Sequence, residues 1–131
     1  MRMSPTRAYT WVASVGLFLQ GGSTLVALLI PAVDRAFPSL LQETQMGYSH
    51  SLLHAASGLI GFAALRFGGS AGPRRYALWF GLFYLALGIV GPLSGHPLGI
   101  GLTLFDHYFH AVLGGFGLLA VAAENLRARA A

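Results

Sequence analysis

Four stretches of apolar residues follow one another along the chain, and the short segments between them carry most of its charge. The stretches cover residues 9–33, 48–65, 76–93 and 98–123. Each approaches or exceeds the roughly 20 residues that a helix needs to cross the hydrocarbon of a bilayer. Glycine and proline within them are compatible with spans, since neighbouring helices can satisfy the freed backbone groups. The pattern predicts an all-α fold in one domain, residues 1–131: a four-helix transmembrane bundle.

Composition agrees with a membrane environment. Apolar residues make up 55% of the chain and charged residues 9%. A soluble domain averages roughly 25% charged residues, so this chain could not cover a globular surface with polar groups. The absence of cysteine excludes disulfides, thiolate metal sites and cysteine nucleophiles. The first stretch is longer than the roughly 7–15 apolar residues of a signal peptide, and we therefore expect an uncleaved span.

The arginines predict the orientation of the spans. Seven lie in the two terminal segments and in the connection between the second and third stretches: Arg2, Arg7, Arg66, Arg74, Arg75, Arg127 and Arg129. The other two connections contain only Arg35. By the positive-inside rule, both termini are expected to be cytoplasmic, in a multi-pass protein of a bacterial inner membrane. Arginines dispersed in this way form no basic face, which argues against a nucleic-acid partner.

The second and fourth stretches share polar residues and glycines at helical spacing. The alignment pairs His54 with His110, Gly58 with Gly114 and His50 with Asp106. The first and third stretches share Gly-Leu-Phe at 16–18 and 81–83. These matches predict two tandem helical hairpins in the same orientation, related by an axis along the membrane normal.

The repeat predicts where the ionisable residues lie. His54 and His110 are expected at equal depth in the outer half of the membrane. His50 and Asp106 are expected one turn further out on the same helix faces. An aspartate in a span costs about 2.5–3.5 kcal/mol on insertion scales, so an intramembrane cluster of this kind is a candidate site. His96, which we expect to be solvated in a Gly-His-Pro loop, and His107, one position off the face of Asp106 and His110, are weaker candidates.

Four interpretations of this cluster stay open at this point. The residues could bind a divalent transition metal, since imidazole and carboxylate suit zinc, copper, iron or nickel. They could hold a b-type haem, relay protons as in pumps, or simply tie helices together. The metal ligands would be His50, His54, Asp106 and His110. The haem would use His54 and His110 as axial ligands, with Gly58 and Gly114 giving the porphyrin access to the backbone.

Several motifs together resemble an uncharacterised bacterial family of small four-span membrane proteins, catalogued as a domain of unknown function. They are Gly16-Leu-Phe-Leu, His50-x-x-x-His54-x-x-x-Gly58, Arg75-Tyr76-Ala, Gly81-x-x-Tyr84 and Asp106-His107-x-x-His110-x-x-x-Gly114. The family usually has asparagine after its first histidine, where this chain has Ser51. The resemblance covers nearly the whole chain and implies the four-span fold, but it brings no established activity.

The function that these observations favour is non-enzymatic. The sequence shows no catalytic Ser-His-Asp order, no phosphate-binding loop and no pair of carboxylates of the glycosidase type. We therefore expect a membrane subunit that binds a metal or cofactor, or that serves as an accessory component of a larger complex or a homo-oligomer. The alternatives are a bis-His haem electron carrier and a component of proton-coupled transport.

Overall fold

The computed structural model describes residues 3–94 and 99–130, and this part of the chain is helical and contains no strand. Arg2, His96 and Leu98 lie outside the described residues. The helices are α1 (Pro5–Leu29), α2 (Pro31–Ala36), α3 (Ser39–Thr44), α4 (Tyr48–Phe67), α5 (Gly72–Ser94) and α6 (Leu104–Arg129). Four of them are long, and the short helices α2 and α3 lie in the connection between α1 and α4.

Proline, glycine and capping residues decide where the long helices begin and end. The predicted first span continues to residue 33, but α1 ends at Leu29, because Ile30 precedes Pro31 and adopts an extended conformation. The predicted fourth span begins at residue 98, whereas α6 begins at Leu104, after Gly99 and Gly101 with positive φ angles. The helices α4 and α5 contain the predicted spans and extend beyond them.

Three of the long helices, α1, α5 and α6, are long and apolar enough to cross a membrane. The distribution of side chains agrees with that environment. Large apolar residues such as Val12, Leu119 and Trp79 point outwards, whereas Thr10, Ser14 and the histidines of α4 and α6 are buried. A water-soluble protein buries the apolar groups and exposes the polar ones. This inverted arrangement is typical of a protein whose surroundings are apolar.

The long helices form two closely packed pairs, α1 with α4 and α5 with α6. Glycines permit the close approach in both pairs. A Cβ atom added at Gly21 would meet backbone atoms of α4, and one added at Gly88 would meet the backbone of Ala111 on α6. Small residues at crossings are typical of membrane helices, where packing rather than hydrophobic exclusion drives association.

The contacts between α1 and α4 are repeated between α5 and α6. They also show that one part of the alignment made from the sequence was wrong. Gly58 packs on Phe18 and Ser14, and Gly114 packs on Leu85 and Gly81. Gly21 packs on Ala55, and Gly88 packs on Ala111. The α4 and α6 residues correspond as predicted, but the α1 and α5 residues correspond two positions away from the Gly-Leu-Phe match. That match joined two glycines in different environments, because Gly16 faces open space and Gly81 contacts Gly114.

Candidate metal centre

Three histidines from two helices meet in the interior of the bundle. One ring nitrogen from each of His50, His54 and His110 lies within 4.8 Å of the others. The two Nε2 atoms of His54 and His110 are 3.2 Å apart. All three side chains are buried, with at most 1% of their surface exposed. The structure therefore brings together three of the four metal ligands predicted from the sequence.

Helix geometry places these rings. His50 and His54 are four residues apart on α4, so their side chains share one face, and their ring centroids are 4.6 Å apart. His110 reaches them from α6, and its ring centroid is 5.5 Å from that of His54. Behind His54, the bare Cα of Gly21 lets α1 lie directly against α4, since a Cβ there would meet the His54 side chain. The cluster thus depends on the close crossing of α1 and α4.

Gln20 on α1 orients His54. Its Oε1 atom lies 3.1 Å from His54 Nδ1, so Nδ1–H donates to the amide oxygen. A neutral imidazole carries one proton, and this bond therefore leaves His54 Nε2 with a free lone pair directed at His110. A hydrogen bond from the second ring nitrogen is how proteins usually fix a metal-binding histidine. As a polar residue in the apolar first stretch, Gln20 is expected from the sequence to face another helix, but the sequence does not indicate that its partner is His54.

Several buried ring nitrogens have no hydrogen-bond partner among the described residues. They are both nitrogens of His50, Nδ1 of His107 and Nδ1 of His110. Buried polar groups are nearly always paired, and each one left without a partner costs about 1–3 kcal/mol. Three of these four atoms belong to His50 and His110, which meet in the cluster, so a nitrogen of His50 is available to a species bound there.

Asp106, the fourth predicted ligand, is not part of the three-histidine group. Its Oδ2 atom accepts hydrogen bonds from Thr103 N at 2.7 Å and Thr103 Oγ1 at 2.8 Å. Together with the return bond from Asp106 N to Thr103 Oγ1, these contacts form a capping box that starts α6. The carboxylate is buried one turn before His110, so it places a negative charge near the cluster while holding the helix end.

The residues expected to surround a haem have other neighbours. Gly58 packs on α1 and Gly114 packs on α5, each against backbone atoms. The space around the His54–His110 pair contains the rings of Tyr84 and Phe109. Tyr84 lies 4.9 Å from His110, and Phe109 lies 6.2 Å from His54, measured between centroids. The two glycines therefore serve helix packing in this structure.

A second set of polar side chains lies next to the three histidines, and these side chains have hydrogen-bond partners. The hydroxyls of Tyr84 and Ser57 are 3.1 Å apart, and Tyr76 donates to the carbonyl of Ser57 at 3.1 Å. Further along α1, Ser14 donates to the carbonyl of Thr10. The sequence analysis did not place these residues near the histidines. Tyr76 and Tyr84 carried a signal in the sequence, as parts of the Arg75-Tyr76-Ala and Gly81-x-x-Tyr84 motifs.

Comparisons with known proteins do not assign the chain to a group. No protein-family model, no curated protein and no solved structure matches it.

Proposed function

We propose that the chain is an integral membrane protein that crosses the bilayer four times and binds one transition-metal ion through His50, His54 and His110. The observation that carries this proposal is the convergence of three buried imidazoles, several of whose nitrogens have no partner among the described residues. A bound ion would accept one lone pair from each ring and would turn an unfavourable burial into a favourable interaction.

The spacing of His54 and His110 supports a small ion, and the ligand nitrogen of His50 lies within 4.8 Å of both. Zinc binds imidazole nitrogen at about 2.0–2.1 Å, so two nitrogens on one tetrahedral ion lie about 3.3 Å apart. The Nε2 atoms of His54 and His110 are 3.2 Å apart. Both must present lone pairs to a metal, which requires protons on both Nδ1 atoms, and Gln20 already holds that tautomer at His54. Zinc and copper are the ions that this donor set suits best.

Charge also supports the proposal. Three neutral imidazoles leave the full charge of a divalent ion in an apolar interior, where an uncompensated charge is costly. Asp106 supplies a buried carboxylate one turn from His110. We assign Asp106 to charge compensation and to the start of α6, with no direct bond to the ion.

A bare ion is favoured over haem by the packing around the histidines. A porphyrin between His54 and His110 would have to displace the rings of His50 and Tyr84, which both lie within 6 Å of His54 between centroids. An ion requires no such displacement. A proton relay through the histidines and Asp106 is less supported as well, because Asp106 Oδ2 accepts hydrogen bonds from Thr103 and both ring nitrogens of His50 have no partner among the described residues.

The membrane arrangement belongs to the same proposal. α4 is 20 residues long and packs along α1, and we infer that it crosses the bilayer with the other three long helices. The arginines favour cytoplasmic termini, which puts the histidines in the outer half of a bacterial inner membrane. The role is that of a non-enzymatic metal-binding subunit. Membership of the uncharacterised four-span family stays a prediction.

Elemental analysis of the purified protein tests the proposal. The wild type, loaded with zinc or copper and then desalted, is expected to retain about one ion per chain, and the His54→Ala/His110→Ala variant is expected to retain none. His107→Ala is the matched control, because it removes a buried imidazole outside the three-histidine group and should leave the ion in place. Equal retention in all three proteins, or no retention in the wild type, would contradict the proposal.

A further inference from the structure

A groove runs between α4 and α5, on a side of the bundle where these helices pack less closely than within the two pairs. Its volume is about 610 Å³, within the roughly 300–1,000 Å³ that ligand sites occupy. Most of its wall is apolar or aromatic and includes Ile60, Trp79 and Phe83. It opens on the outer surface of the bundle, which faces lipid in the proposed membrane arrangement.

One end of this groove is positively charged. Gly68, Gly72 and Arg75 line that end. The backbone N–H groups of Gly72 and Arg75 bond to carbonyls of the preceding turn, so the positive charge at this end comes from the Arg75 guanidinium. Trp79 follows Arg75 by one turn and is 68% exposed. Tryptophan at such a position is typical of the boundary between hydrocarbon and headgroups.

The neighbouring arginines are engaged elsewhere. Arg74 donates to Asn125 Oδ1 at 3.2 Å, and the Arg66 guanidinium lies over the Phe67 ring at 5.3 Å. Among the residues that the structure describes, no hydrogen bond or ion pair engages the Arg75 guanidinium. An exposed cation at the end of an apolar groove is complementary to a molecule with a long apolar body and an anionic head.

We propose that this groove binds an anionic phospholipid, with its phosphate at Arg75 and an acyl chain along Trp79 and Phe83. Basic pockets between membrane helices recognise anionic headgroups in this way. The second large groove provides a contrast. It lies between α1 and α6, has a volume of about 530 Å³ and contains no charged residue in its lining, so it offers nothing to an anionic head. The inference rests on the proposed membrane location and is independent of the metal.

Tryptophan fluorescence tests the lipid site directly. The chain has two tryptophans, so Trp11→Phe leaves Trp79 as the single reporter. The full-length variant is reconstituted into phosphatidylcholine vesicles that contain a fixed fraction of brominated phosphatidylglycerol or brominated phosphatidylcholine. One arginine near the membrane surface is worth about fivefold in affinity for anionic lipid. The anionic quencher should therefore quench Trp79 at least about twofold more strongly.

Two arginine variants decide the result. Arg75→Gln is expected to make both quenchers equally effective, and Arg74→Gln is expected to keep the preference. Equal quenching in the parent, a preference that survives Arg75→Gln, or an equal loss in both variants would overturn the proposal. Flotation of the vesicles reports separately on the membrane location, since a protein that does not float with lipid would contradict the proposed spans rather than the groove.

Discussion

The α1/α4 half contributes His50 and His54 to the centre of the bundle and the α5/α6 half contributes His110, and the two halves support these histidines differently. In the α1/α4 half, Gln20 accepts a hydrogen bond from His54 Nδ1. In the α5/α6 half, the corresponding position of α5 is Leu87, and His110 Nδ1 has no partner among the described residues. Both positions belong to helices that cross their partner at a glycine, Gly21 and Gly88. The helix crossing at a glycine is found in both halves. A hydrogen bond to the histidine Nδ1 atom is found in the α1/α4 half and not in the described part of the α5/α6 half.

This difference indicates which half of the site is organised in advance. Gln20 fixes one tautomer of His54 and leaves its Nε2 lone pair available. Without an ion, His110 Nε2–H donates to that lone pair at 3.2 Å, so metal binding requires the His110 proton to move to Nδ1, which has no partner among the described residues. We infer that the α1/α4 half presents a preorganised ligand and that the α5/α6 half completes the site when the ion binds. Variants in each half can separate the two contributions.

The largest effect is expected from removing the ligand of either half. His54→Ala and His110→Ala should each weaken metal binding by more than the roughly 100-fold that outer-shell changes reach, because a direct bond to the ion is lost. Competition with a chromophoric chelator measures the affinity in detergent. If either variant stays within tenfold of the wild type, that histidine is not a ligand.

The second largest effect is expected from removing the hydrogen bond between Gln20 and His54 in the α1/α4 half. Gln20→Leu makes α1 resemble α5 at this position and should weaken metal binding by about 10- to 100-fold, the usual effect of losing a partner of a metal-binding histidine. The overall fold should persist, since Leu is the residue that α5 carries at this place. Unchanged affinity, measured with the same chelator, would show that the tautomer of His54 does not limit binding.

The glycine crossings provide a smaller effect on stability. Gly21→Ala and Gly88→Ala should each destabilise the fold by about 1–2 kcal/mol, because the added methyl meets backbone atoms of the partner helix. Gly22→Ala is the matched control, since a Cβ at Gly22 has no described atom within 4 Å. Unfolding in mixed detergent micelles measures the difference. A Gly21→Ala protein as stable as Gly22→Ala would contradict the close crossing of α1 and α4.

The smallest effect is a gain. Leu87→Gln gives the second half the residue of the first, and its amide oxygen would accept a hydrogen bond from His110 Nδ1. A net hydrogen bond of this kind should strengthen metal binding by about three- to tenfold. Leu87→Met is the control for a change of shape without a polar group. Weaker binding in Leu87→Gln than in Leu87→Met would mean that Leu87 and Gln20 are not equivalent positions.

The sequence predicted the parts of the fold that depend on periodicity and composition. The apolar stretches became the long helices, and the alignment of His54 with His110 placed two residues that are in contact. The helix ends were less accurate, because a proline after Ile30 and the glycines before Thr103 act through local conformation that hydropathy does not contain. The match between α1 and α5 was wrong by two positions, because short apolar motifs recur without sharing contacts.

Part of the site could also be predicted from composition. Histidines in an apolar span are conspicuous, so His50, His54 and His110 were found from the sequence alone. The support from Gln20 was not found, because it depends on the rotation of α1 against α4, which the glycine at position 21 determines. The carboxylate of Asp106 was assigned to the metal, but the structure engages its Oδ2 atom in the cap of α6. A capping box was readable from Thr103 and Asp106 at their spacing of three residues.

X-ray absorption at the zinc edge of the loaded protein reports the ligands of the ion directly. We expect about three imidazole nitrogens around the ion at about 2.0–2.1 Å, with the outer-shell scattering of imidazole carbons. Gln20→Leu should keep this ligand set at lower occupancy. A spectrum with one imidazole or none, as from zinc held loosely at the surface, would contradict a metal centre built from His50, His54 and His110.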